Sequence, residues 1–168
     1  MEIKEGPSGT SQKSICFIGI GNEYRCDDAA GIALVKILEN QYNSRKNTVR
    51  SAVFFYAGED TISVVHMLAK YKNLMIADAV VTGSPAGTIF ELNLENHIPE
   101  KSEMKLSGHS LDVFDAVRMA RELYSINSKI HFIGIEGRNF TQGNRITPEV
   151  NAAVNKAAEK ILDTYNFS

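Results

Sequence analysis

Two carboxylates and one imidazole, Asp28, Asp78 and His109, are the side chains in this sequence best suited to joint chemistry. Oxygen and nitrogen donors in that combination suit a divalent first-row metal ion and leave coordination positions open to an external ligand. The three are far apart in sequence, and their spacing is not in itself a metal motif. Each also has a plainer reading. Asp28 could be a helix-terminal carboxylate accepting backbone amides, with Asp27 as the competing cap. Asp78 interrupts the apolar run LMIADAV, where an ionised carboxylate costs several kcal/mol unless it is paired, hydrogen-bonded or bound to a cation. His109, beside Ser110, could simply favour the start of a helix.

Other candidates are weaker. Glu136 ends the run IHFIGIE and could line a cleft, pair with Arg138 or cap local amides. His131 reads as a packed or hydrogen-bonded strand residue, and His66 and His97 have no strong chemical context. Gly19-Ile20-Gly21 begins like a dinucleotide fingerprint, but Asn22-Glu23-Tyr24 follows where a third glycine is required, and no Lys-Ser or Lys-Thr makes a phosphate loop. No serine sits in a nucleophile elbow. Cys26 lies close enough to Asp28 to allow a redox or metal-contact role, although covalent catalysis has no support.

Positioning these groups falls to alternating strands and helices. Ile15 to Ile20 is apolar without alternation, the pattern of a strand buried on both faces. From Asp27 onward the apolar residues recur at helical spacing. Val49 to Tyr56 predicts a strand, Ala57-Gly58 a turn, Thr61 to Tyr71 a helix, Leu74 to Val80 a buried strand and Thr88 to Leu94 a shorter edge strand. Asn96 to Gly108 reads as an irregular, mobile loop. A helix is expected from Ser110, acting as N-cap, through Arg121. A strand is expected over Lys129 to Ile135, and a final helix is capped by Thr147 with Pro148 in its first turn. The order predicts an α/β fold: a three-layer α/β/α sandwich on a mostly parallel, twisted sheet with one antiparallel edge strand. In such sheets ligands bind beyond the carboxyl ends of the strands, where Asp28, Asp78 and His109 are all expected.

Length and composition set the outer limits. The 168 residues suit one folded unit over 15–168 after a loose polar tail over 1–14. With 43% hydrophobic and 23% charged residues the chain has the balance of a globular protein rather than a disordered one. No apolar run reaches the roughly 18 residues needed to span a bilayer, and the opening residues lack a secretory pattern, so a cytoplasmic protein without direct membrane association is expected. The formal charge of -2, with no basic stripe, argues against nucleic acid as a partner. Cys16 and Cys26 are too few and wrongly spaced for a disulfide framework or a zinc knuckle.

The segment FIGIGNEYRCDDAAGIALVKIL, residues 17–38, resembles the G-x-G-N-x4-D-[DE]-x2-G opening of the hydrogenase maturation endopeptidases. The resemblance continues through MIADAV, SGHSLDVFDAV and GIEGRNFTQGNRITPEV. It implies an endopeptidase that removes the C-terminal extension of a [NiFe]-hydrogenase large-subunit precursor after nickel insertion. It also implies that Asp28, Asp78 and His109 bind the metal. Nickel is then carried by the substrate, and a surrogate divalent ion could occupy the same donors in the isolated protein. A noncatalytic maturation chaperone recognising the nickel-loaded precursor is the alternative. This chain departs from its relatives in three places. Asp28 stands where many have Glu; Tyr56-Ala57-Gly58-Glu59 replaces an acidic residue before Gly-Gly-Thr or Gly-Thr, which leaves a supporting carboxylate absent or displaced; and Gly137 replaces a proline found in some members.

Overall fold

A computed structural model describes residues 14–44, 51–100, 105–106 and 112–165. The element order is β1 (Ile15–Ile20), a 3-10 turn (Cys26–Ala29), α1 (Ala30–Ser44), β2 (Ala52–Gly58), α2 (Thr61–Lys70), β3 (Asn73–Val81) and β4 (Ile89–Asn93). It continues with β5 (Lys105–Leu106), α3 (Val113–Tyr124), β6 (Lys129–Glu136) and α4 (Pro148–Thr164). The expected tail over 1–14 lies outside the described residues except for Ser14.

The strands form one sheet in the order β2-β1-β3-β6-β4. β1 pairs parallel with β2 and β3, β3 pairs parallel with β6, and β4 runs antiparallel along the outer side of β6. The expected antiparallel edge strand is therefore β4. β5 is a correction: the stretch anticipated as irregular contains a two-residue strand antiparallel to the end of β3, with Leu106 opposite Val80 and Lys105 opposite Val81.

Side chains alternate across a strand, so neighbouring residues serve opposite layers. Cys16 and Ile18 of β1 join Leu74, Ile76 and Val80 of β3 in a core with α2 and α3, where the rings of Phe114 and Phe132 lie 5.1 Å apart. Ile15, Phe17, Met75, Ala77 and Ala79 face the other way, against Leu34, Val35 and Leu38 of α1 and Val154, Ala158 and Ile161 of α4. Each such fully buried large side chain contributes about 1.5–3 kcal/mol. By parity Asp78 belongs to the α2–α3 face, the one polar position among Leu74, Ile76 and Val80.

Helix ends depart from expectation in two places. α3 starts at Val113, not Ser110; Asp112 is its N-cap in a reciprocal box with Asp115, whose amide reaches Asp112 Oδ1 at 2.9 Å. Thr147 precedes α4 without capping it by its side chain, because its amide and hydroxyl are both directed to Asp27. No helix among the described residues is long and apolar enough to cross a membrane.

The strand order explains where a site can form. From β1 the chain passes through α1 to β2 on one side, and from β3 it passes through α3 to β6 on the other. The loops leaving β1 and β3 thus diverge, which opens a crevice between their carboxyl ends.

Candidate functional site at the β1–β3 switch point

Two close backbone approaches set the position of Asp28. Gly21 follows β1 with φ of +123°, and a Cβ there would lie 1.8 Å from the carbonyl oxygen of Asp28. A Cβ on Gly31, in the first turn of α1, would lie 2.3 Å from Ala77 O and 2.5 Å from Ile20 O. Only glycine allows the 3-10 turn and the start of α1 to rest directly on the ends of β1 and β3. Backbone bonds to the β6–α4 loop fasten the turn further, from Cys26 N to Gly143 O at 2.9 Å, Gly143 N to Tyr24 O at 2.8 Å and Asp27 N to Asn139 O at 2.9 Å.

Asp27 and Asp28 are both fully buried in that turn, yet they have different surroundings. Asp27 Oδ2 accepts the amides of Arg138 and Asn139 at 3.0 and 2.8 Å and the Thr147 hydroxyl at 3.1 Å, while Oδ1 accepts the Thr147 amide at 2.7 Å. Burial alone would raise its pKa, but these donors outweigh burial and hold it below the ordinary carboxylate range. The capping that could have fallen to Asp28 is therefore done by Asp27, and for the β6–α4 segment rather than for α1. Among the described residues neither oxygen of Asp28 has a hydrogen-bond donor. Its one ion-pair partner among the described residues is Arg25, with Nη1 3.6 Å from Oδ2.

Asp78, 4% exposed, lies three residues before the end of β3, and among the described residues its carboxylate accepts only the amide of Ala79, at 2.8 Å from Oδ1. Its pKa lies well above the usual carboxylate range, chiefly because burial disfavours the charge and then because the Asp28 carboxylate repels it. The Ala79 amide opposes these effects, and Asp112 at the start of α3 reinforces them. Asp28 and Asp78 thus form one electrostatically coupled, donor-poor acidic site, as expected for loops converging on this crevice. His109 lies outside the described residues. Among the described residues no three His, Cys, Asp or Glu side chains form a metal-holding group, so the two acids by themselves do not complete a ligand set.

The weaker candidates have structural surroundings. Glu136 is saturated: Oε1 accepts the amides of Thr82 and Gly83, both at 2.9 Å, and Oε2 accepts the Thr82 hydroxyl at 2.8 Å. It pins the turn after β3 and is not paired with Arg138. His131 lies 3.3 Å from the Tyr165 hydroxyl through Nδ1, and its pKa is lowered, mainly by burial. Burial pushes the Cys16 thiol up to about 12, and both cysteines are free. At the altered β2 turn, Tyr56 donates to Glu39, and Glu59 accepts a hydrogen bond from Asn22 at 3.3 Å, so a carboxylate does reach the loop after β1 from a displaced position. Sequence reasoning passed over Arg25, although its place three residues before Asp28 is a readable signal, and Asp112, whose D-x-x-D spacing with Asp115 announces a cap.

Comparison with known proteins agrees with this geometry. The family model HycI: Hydrogenase maturation protease matches residues 32–164. The Hydrogenase 2 maturation protease of Escherichia coli (strain K12) is 24% identical over 148 residues, 88% of each chain. The solved structure of hydrogenase maturating endopeptidase HybD from E. coli superposes with a TM-score of 0.75 at 25% identity, covering 91% of this chain and 92% of that one. The [NiFe] hydrogenase maturation protease HycI from Thermococcus kodakarensis KOD1 shares the fold, with a TM-score of 0.71 at 22% identity over 92% of this chain and 93% of its own. Because the family match spans most of the sequence and the architecture agrees along nearly the whole chain, this protein belongs to the hydrogenase maturation proteases.

Proposed function

We propose that this protease removes the C-terminal extension of a [NiFe]-hydrogenase large-subunit precursor once nickel is in place, and that Asp28, Asp78 and His109 hold the nickel the precursor carries. The observation that carries the reading is Asp28, fully buried and without a hydrogen-bond donor among the described residues, coupled to an Asp78 with a single amide donor among them. Two close carboxylates in a poorly polar site repel each other, and a divalent cation between them converts that repulsion into attraction. The substrate supplies the cation, so an acidic pair that is costly alone becomes favourable only when a nickel-loaded partner docks.

His109 is assigned as the third ligand because the segment that contains it, SGHSLDVFDAV, resembles the family's histidine-bearing stretch. Leu106, three residues before it, pairs with Val80 just past Asp78, and Asp112, three residues after it, contributes to the rise in the Asp78 pKa. Held by these ligands, the nickel orients the extension and polarises the scissile carbonyl or an attacking water, and a carboxylate helps move the proton towards the leaving amine. His109 as a ligand has no free lone pair for general-base work. A surrogate divalent ion can use the same donors in the isolated protein.

The test is to incubate the protein with nickel-loaded and nickel-free precursor and follow loss of the extension by mass spectrometry. Cleavage is expected only of the loaded form and should disappear with alanine at Asp78 and at His109. Unchanged cleavage by both variants would reject the ligand assignment, and a stable complex with intact precursor mass would favour a chaperone.

A further inference from the structure

Arg25 stands out from the other partly buried arginines. Arg118 is tied down by Asp115 Oδ1 at 3.2 Å and Pro99 O at 2.6 Å, and Arg121 by Leu94 O and by Glu95 O at 2.9 Å. These side chains brace the start and end of α3 through directed bonds. Arg25 has a charge contact with Asp28 at 3.6 Å, beyond hydrogen-bond reach, and Asp28 accepts no hydrogen bond from any of the described residues. Its side chain is 35% exposed whereas that of Asp28 is sealed, so the ion pair joins a solvent-accessible cation to a buried acid.

The local backbone explains this placement. Arg25 immediately precedes the 3-10 turn, in which residues three apart stack over one another, so a cation at 25 stands above an anion at 28. Its main chain does the structural work: the Arg25 amide reaches Asn22 O at 3.1 Å, and its backbone bridges to Gly143. Among the described residues the side chain has no hydrogen bond that its substitution would break.

A buried carboxylate without donors is costly, and one undirected positive charge offsets only part of that cost. A divalent ion bound directly offsets more. We propose that Arg25 is a resident counter-ion standing in for the precursor's nickel on Asp28, to be displaced when a divalent metal arrives, and that it is thereby a specificity-determining residue. A docking surface without a metal has nothing with which to exchange it. The acid stays covered, and the nickel-free precursor gains no foothold there. The inference rests on the reading that Asp28 is a nickel ligand.

Titration calorimetry of nickel(II) chloride into the purified full-length chain tests it, with all variants at one pH and one ionic strength. Removing a competing, partly exposed charge should tighten nickel binding by about five- to tenfold in Arg25→Gln and Arg25→Met. Arg25→Lys, which keeps the charge, should stay within about threefold of the parent. Two neutral variants guard against one that folds poorly, and circular dichroism confirms the helix content of each. Unchanged or weaker nickel binding in the folded neutral variants would overturn the counter-ion role, as would equal tightening in Arg25→Lys. A parent protein whose nickel affinity is unaffected by Asp28→Asn would instead sink the ligand reading, and the inference would fall with it.

Discussion

Two pairs of acids are buried at the carboxyl ends of the parallel strands, and they solve the problem of burial in opposite ways. Asp27 and Glu136 are enclosed by donors, most of them backbone amides, from loops distant in sequence. Asp28 and Asp78, also shielded from water, have among the described residues one amide and one arginine between them. The first pair fastens the β6–α4 loop and the turn after β3 to the rest of the fold. The second retains unused lone pairs at the switch point. Burial is common to both pairs; what separates them is the number of donors, and a buried acid with few donors is held at a cost to stability.

The largest effect that could break this contrast is on activity. Asp28→Asn should lower precursor cleavage at least 100-fold, more than is usual for groups that merely orient a metal ligand, while leaving the urea midpoint unchanged or slightly raised. A marked loss of stability with activity intact would put Asp28 in the same class as Asp27. Next comes Asp27→Ala, which strands the amides of Arg138, Asn139 and Thr147 and should cost about 3 kcal/mol in urea unfolding. Asp27→Asn should recover part of that loss, since one oxygen can still accept.

The smallest effect, and the sharpest in sign, is the pH dependence of stability. The Asp27 pKa is depressed in the folded chain, so its contribution is present above the ordinary carboxylate range and is lost as pH falls through the folded value. The Asp78 pKa is raised, so the folded chain holds that proton more tightly than the unfolded one, and stability declines as pH climbs from the ordinary range towards the raised value. Asp78→Asn should match the parent in acid and gain on it as pH rises above the ordinary carboxylate range, whereas Asp27→Asn should fall behind the parent as pH rises towards that range from below. Chemical denaturation at a series of pH values reads both, and slopes of the same sign would dissolve the distinction.

Much of the framework was legible in advance because it depends on local pattern. The unbroken apolar runs around Phe17 and Ile76 require burial on both faces, and the spacing of Val150, Val154, Ala157 and Ile161 admits only one buried helical stripe. Asp78 was conspicuous for the same reason, as a charge in an apolar strand. β5 was not legible, since two residues carry no period, and its pairing is chosen by the exposed end of β3. The start of α3 was misplaced because a serine and an aspartate two residues apart are both good caps, and Asp115 decided between them.

Residue order thus determined the strands, the helices and the presence of acids near strand ends, all consequences of side-chain period and the cost of placing charge among apolar groups. Tertiary structure decided which acid is free. The donors that satisfy Asp27 lie more than 100 positions away, at Arg138, Asn139 and Thr147, and no local pattern reveals that they arrive at residue 27 and leave residue 28 bare. The location of the crevice is tertiary too, because it follows from β1 and β3 lying side by side while their connections leave in opposite directions.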